Sequence, residues 1–169
     1  MAIPKKIIDH LKKNKVKFEQ IAHKTVYTAY DLAKTLREKL NKIAKSLVIK
    51  TDKGYAIVVL PADKMVDFKK LKKLVNSKKI EIAKEKVMKD FFKVKPGTIT
   101  PFATLHKKVP LYVDKTLLKV KEILVSAGSY TDSLRIKIHE LMKIEEPTKG
   151  DFSLSKKIKP QPKSKSKSK

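Results

Sequence analysis

Apolar residues fall at Ile7, Ile8 and Leu11 within Lys5 to Lys13, the spacing of one helical face, and Val16 to Ala22 reads as a strand. Thr28 offers a helix cap with Asp31 three residues on, and Leu32, Leu36 and Leu40 follow on one side, predicting a helix over 28–40. Ser46 to Ile49 and Tyr55 to Leu60 are β-rich runs separated by Thr-Asp-Lys-Gly. Gly54 supplies the positive φ of a tight turn, which predicts a hairpin in the core. Asp63 is placed to cap the next amphipathic stretch, where Met65, Val66, Phe68, Leu71, Leu74 and Val75 share a face and Lys69, Lys70, Lys72 and Lys73 form a solvated one. Lys84 to Phe92 predicts a short helix ending near Lys95-Pro96-Gly97. Leu111 to Val113, Glu122 to Ser126 and Ser133 to Ile138 read as three more strands, with a helical turn capped by Asp114 between the first two. Strands and helices mix without regular alternation, which predicts an α+β domain with a largely antiparallel sheet.

Apolar residues thin out from Lys149, and the chain closes on Pro-Lys-Ser-Lys-Ser-Lys-Ser-Lys. Such a composition buries too little surface to offset the entropy of ordering it. The expected organisation is therefore one domain over 1–148 and a disordered, basic, Lys/Ser-rich tail over 149–169. A tether that grips nucleic-acid backbone and a merely solubilising end fit that tail equally well.

With 169 residues, 41% hydrophobic and 35% charged, the chain carries enough apolar material for one core, and global disorder is excluded. Cysteine is absent, which removes disulfide scaffolds, thiolate metal sites and cysteine nucleophiles together. The net charge of +25 draws polyanions at long range and favours nucleic acid as the partner. Arg37 and Arg135 are the two arginines and the other 40 basic residues are lysines, so genome-wide codon bias accounts for the excess as readily as selection for binding. The field is the same in either case, and lysines act on phosphates as point charges. No apolar run approaches the ~20 residues that span a bilayer, and Met1 to His10 lacks a signal-peptide stretch. A cytoplasmic protein with no membrane partner is expected, and nothing demands more than a monomer.

The four histidines, His10, His23, His106 and His139, are scattered. His139-Glu140 begins like a zinc-protease motif, but Lys143 stands where the second histidine is required, so no metal site is expected. Four glycines cannot write a P-loop or a dinucleotide turn. Ser129 follows Gly128 without a nucleophile-elbow pattern, and no carboxylate pair stands out. No cofactor is called for. The unusual residues sit in loops: Thr98-Ile99-Thr100-Pro101-Phe102 after Gly97, and Ala127-Gly128-Ser129 between two strands. Loops of this kind aim backbone N–H groups at a carbonyl or phosphate oxygen, although each alone also fits an ordinary turn. Lys45 precedes an apolar strand, undistinguished by composition among so many lysines.

Order and spacing add what the pieces lack. The succession Val26-Tyr27-Thr28-Ala29, Ala44-Lys45-Ser46-Leu47-Val48, Pro61-Ala62-Asp63, Lys95-Pro96-Gly97-Thr98-Ile99-Thr100-Pro101-Phe102, Val113-Asp114 and Ala127-Gly128-Ser129 resembles the YbaK/ProX family of aminoacyl-tRNA deacylases, over about Phe18 to Ile144. The resemblance implies a compact α+β domain around a mixed, mainly antiparallel sheet flanked by helices. It also implies a free-standing editor that hydrolyses the ester of mischarged aminoacyl-tRNA, with an aminoacyl-tRNA synthetase as a second candidate partner. The family's working lysine maps onto Lys45, its glycine-proline loop onto Gly97 to Pro101, and its second glycine segment onto Gly128 and Ser129.

On that footing Lys45, Gly97 and Gly128 are the expected catalytic positions, and Ser46, Thr98, Thr100, Pro101 and Ser129 the expected substrate contacts. The ammonium of Lys45 would hold the terminal phosphate or aminoacyl group, and amides around Gly97 and Gly128 would face the developing oxyanion. An ester carbonyl is already activated, so a positioned water suffices, oriented by analogy through the neighbouring ribose hydroxyl. Ser46 is closer to the hydroxyl-bearing form of many relatives than to the asparagine of alanine-directed editors. His106 is expected in an exposed loop beyond Pro101. Two rivals share the sequence: a non-catalytic RNA-binding module of the same fold, and a hydrolase of small free aminoacyl esters.

Overall fold

The computed structural model describes residues 3–106 and 109–155. Its elements are α1 (Lys5–Lys13), β1 (Phe18–Ala22), α2 (Ala29–Leu36), β2 (Ala44–Thr51), β3 (Gly54–Pro61), β4 (Lys64–Val66), α3 (Phe68–Val75), β5 (Ile80–Ile82), α4 (Glu85–Asp90), β6 (Leu111–Asp114), β7 (Glu122–Ser126), β8 (Asp132–Lys137), α5 (Ile138–Glu145), β9 (Thr148–Gly150) and β10 (Ser153–Ser155), with three short 3-10 turns.

β2 and β3 form the expected hairpin, closed at Thr51↔Gly54 and running back to Lys45↔Leu60 and Ala44↔Pro61. It is the centre of a five-stranded sheet in the order β5-β2-β3-β6-β9, antiparallel on the β5 side and parallel from β3 to β9. β1-β8-β7 make a second, wholly antiparallel sheet. The two touch through a parallel bridge, Ile43↔Leu124, just before β2 begins. The sheet is thus mixed and mainly antiparallel, within an α+β fold.

β3 explains its own sequence. Ile57 and Val59 pack into the main core with Leu11, Phe92, Phe102, Val113, Val125, Leu134 and Leu141, while Ala56, Val58 and Leu60 face Leu71, Val75 and Phe152. A strand covered on both sides reads as an unbroken apolar run rather than an alternating one. A third cluster of Leu32, Ala33, Ile43, Ala62 and Leu124 lies under α2, at the junction of the two sheets.

Several expectations are corrected. α2 keeps its Thr28 cap, whose hydroxyl accepts from the Asp31 amide, but ends at Leu36. Arg37 turns left-handed (φ 56°) and the Glu38 amide bonds back to the Ala33 carbonyl, so Leu40 belongs to a separate 3-10 turn. Asp67, not Asp63, caps α3, accepting from the amides of Lys69 and Lys70. Met65 and Val66 are in β4 instead, paired with β10. The composition change at Lys149 is not where pairing stops. Lys149 pairs with Val113 and Leu154 with Met65, and Phe152 is fully buried. Asp114 anchors this segment: its buried carboxylate accepts from the Phe152 amide and the Ser153 hydroxyl, both at 2.8 Å, besides capping the turn at Thr116. The rest of the expected tail, 156–169, lies outside the described residues. Among the described residues no helix is long and apolar enough to cross a membrane.

Candidate active site

Four segments converge where the two sheets meet. The loop from β1 to α2 brings His23, Val26, Tyr27 and Thr28, and the start of β2 brings Lys45, Ser46 and Leu47. The loop after α4 brings Gly97 and Ile99, and the β7–β8 turn brings Ser126, Ser129, Tyr130 and Ser133. They enclose a cavity of about 230 Å³ whose apolar lining includes Leu32, Ile43 and Leu124.

Within it the Lys45 ammonium donates to the Lys64 carbonyl at 2.7 Å, which draws the half-buried side chain toward the β3–β4 connection. The Ser46 hydroxyl oxygen is buried and has no hydrogen-bond partner, a state that costs free energy until a ligand or water supplies one. Ser129 donates to Asp132 Oδ2 at 3.0 Å and accepts from the Thr131 amide at 3.3 Å, which fixes the β7–β8 turn. Tyr130 reaches back to the Pro96 carbonyl (2.6 Å) and stands edge-on to Tyr27 with ring centroids 4.8 Å apart, tying the turn to the Gly97 loop. Gly97 sits at φ 81°, and a Cβ there would lie 3.4 Å from the Tyr27 carbonyl oxygen, so a side chain would be strained and crowded.

Of the residues expected from the sequence, Lys45, Ser46, Gly97 and Ser129 line this cavity together. Thr98, Thr100 and Pro101 are buried beside it instead. The Thr98 hydroxyl donates to the Lys95 carbonyl (2.8 Å), and Thr100 Oγ1 accepts from the Phe102 amide (3.4 Å), so both hydroxyls serve the shape of the loop. Gly128 lies behind the cavity wall. Its φ is 85°, its amide bonds to Ser126 Oγ at 3.3 Å, and a Cβ would meet Pro4 and Ile7 at 3.1–3.2 Å. It lets α1 approach closely, and it is the following Ser129 and Tyr130 that enter the cavity. The two glycine turns therefore meet at the cavity, but Gly97 lines it and Gly128 does not.

Gly128 and Thr100 line a neighbouring cavity of about 180 Å³ together with His106. His106 is half-buried rather than exposed, with its ring 5.0 Å from that of Phe92. Burial, and secondarily the charge of Lys6, hold its pKa below the ordinary histidine value.

Sequence reasoning missed His23, Ser126, Tyr130 and Ser133. His23 Nδ1 lies 2.8 Å from the Lys24 carbonyl, which makes it the protonated nitrogen, and Nε2 then accepts from the Ser133 hydroxyl at 2.9 Å. No local spacing reveals a contact between residues 110 positions apart. Among the described residues no group of three or more His, Cys, Asp or Glu is placed to hold a metal ion. What the cavity offers is one ammonium, a set of hydroxyls, an imidazole and an apolar floor.

A family model, the aminoacyl-tRNA editing domain, matches residues 23–144. The chain is 26% identical over 151 residues to the prolyl-tRNA editing protein ProX of Acetoanaerobium sticklandii, covering 86% of this chain and 92% of that one. It is 29% identical over 103 residues to the proline–tRNA ligase of Staphylococcus saprophyticus, where the match covers 61% of this chain but 18% of the ligase. Among solved structures, a hypothetical protein superposes with a TM-score of 0.82 at 22% identity, covering 88% of this chain and 99% of the other. A candidate trans-editing enzyme for prolyl tRNA synthetase superposes with a TM-score of 0.77 at 21% identity, covering 89% and 96%. At those identities the superpositions speak for the fold.

Proposed function

Because the chain belongs to the aminoacyl-tRNA editing domain family, we propose that it is a trans-editing deacylase, hydrolysing the ester of mischarged aminoacyl-tRNA. The observation that carries this reading is the grouping of Lys45, Ser46, Gly97 and Ser129 around one small cavity at the sheet junction. Near-complete coverage of a free-standing editing protein, against a minor part of a ligase, supports action in trans.

The chemistry asks little of the protein. The aminoacyl ester has a good electrophile, and water attack places negative charge on the carbonyl oxygen. The Lys45 ammonium neutralises that charge or holds the adjoining phosphate, exchanging its Lys64 carbonyl for substrate. The Gly97 turn keeps its wall of the cavity free of a side chain, which leaves room for the carbonyl oxygen of the ester to approach the backbone. The tetrahedral intermediate expels the ribose oxygen, which takes up a proton, and free amino acid and intact tRNA leave. The apolar floor of Leu32, Ile43 and Leu124 receives the amino-acid side chain, and the unpartnered Ser46 hydroxyl is the polar group best placed to discriminate among side chains. Gly128 serves by setting the turn that presents Ser129.

Incubation with a panel of tRNAs, each charged with a non-cognate amino acid, tests this reading. Release of one or a few amino acids at rates well above spontaneous hydrolysis is expected. Tight tRNA binding with no release across the panel would instead identify a non-catalytic RNA-binding module, and release that ignores the tRNA body would identify a small-ester hydrolase.

A further inference from the structure

Tyr27 lines the cavity and yet is 67% exposed. An aromatic ring left in water at a cleft mouth forgoes the gain of burying a large apolar surface. It is nonetheless held in place: its ring packs T-shaped against Tyr130, whose hydroxyl is fastened to the Pro96 carbonyl, and the Lys95 ammonium stands 5.9 Å over the Tyr130 ring. The cavity beneath it, about 230 Å³, is below the ~300–1,000 Å³ of pockets that engulf drug-sized ligands. Once an aminoacyl group and part of the ribose occupy that space, no room is left for a purine as well. A nucleoside ester seated with its carbonyl near Lys45 must therefore carry its base out across the rim, where Tyr27 lies.

We propose that Tyr27 is the stacking platform for the 3′-terminal adenine of the substrate, positioning the ester without touching the reacting atoms. The inference rests on the deacylase reading and adds the subsite that reads the nucleoside end. Stacking accepts any flat π surface, so phenylalanine or tryptophan would serve at position 27 and leucine, of comparable apolarity, would not.

The test compares two small substrates carrying the amino acid released fastest in the panel: its 2′(3′)-O-ester of adenosine, and its ester of methyl ribofuranoside, which lacks the base. Wild-type protein is expected to prefer the adenosine ester by about 10- to 100-fold in kcat/KM, mostly through KM. Tyr27→Leu should lose most of that preference and Tyr27→Phe should keep it. Tyr30, 65% exposed but outside the cavity lining, supplies the control, and Tyr30→Leu should keep it too. Circular dichroism melts of the three variants check that the fold is retained, as expected for exposed side chains. A wild type that clears mischarged tRNA but treats the two esters alike, by hydrolysing both or neither, overturns the platform and leaves the deacylase reading standing. So does retention of the preference in Tyr27→Leu, or its loss in Tyr30→Leu. Inertness toward the esters and the whole tRNA panel sinks the deacylase reading and the platform with it.

Discussion

Lys45 shows how little a single residue reveals until its neighbours are known. Its place before an apolar strand is visible in the sequence, but its value comes from Ser46 beside it and from Gly97 and Ser129, which two other segments bring to the same cavity. Lys45→Arg is expected to lower turnover by at least ~100-fold, the order of cost seen when one oxyanion donor is removed, because a planar fork does not replace a compact ammonium. Turnover within a few-fold of wild type would show that charge alone suffices. His106 makes a second residue-level prediction. Its depressed pKa means that the unfolded chain binds the proton more tightly than the folded one. The stability it contributes is therefore complete above about pH 6.5, the unfolded value, and lost as pH falls through the lower folded value. His106→Leu should flatten the acid limb of the melting temperature between pH 6.5 and the onset of carboxylate titration, and an unchanged limb would contradict the assignment. The loop glycines and threonines were legible as unusual, but not their division of labour. Thr98 and Thr100 turn inward to the backbone, and Gly128 makes room for α1, because such choices depend on partners far along the chain.

Among the elements, those with strong periodicity or clear caps were readable: α1, the β2–β3 hairpin and the Asp114 turn stand as the pattern predicts. The three-residue strands β4, β5, β9 and β10 were not, since so short a segment carries no measurable alternation and is defined by its pairing partner. Asp63 and Asp67 are equally good caps in sequence, and β4 pairing with β10 decides between them by claiming residues 64–66. Asp67→Ala should cost about 0.5–2 kcal/mol, measurable by urea denaturation. The C-terminal strands give a larger effect. Phe152 is wholly buried against Val58, Leu60 and Leu71, so Phe152→Ala should cost about 3–5 kcal/mol. A chain stopped at residue 148 should melt well below one stopped at 155, and equal melting temperatures would show that β9 and β10 add nothing to the fold.

For the molecule as a whole, the +25 charge is an attractive field for any polyanion, and its effect on tRNA binding is testable by salt. The apparent affinity for tRNA should fall linearly on a log–log plot against salt concentration, and removal of 156–169 should shallow that slope if those lysines contact phosphates. A flat salt dependence would mean that the lysine excess has no part in substrate capture. The sequence foretold the α+β class and most of the cavity-lining segments, whereas the enclosure itself arises only when the two sheets join at Ile43 and Leu124. The most direct measurement of the central claim is single-turnover release of amino acid from the best mischarged tRNA, with enzyme in excess, for wild type and Lys45→Ala. Rapid release by wild type and release by Lys45→Ala near the spontaneous rate, with equal melting temperatures, is the result predicted here. Equal release by both proteins would contradict it.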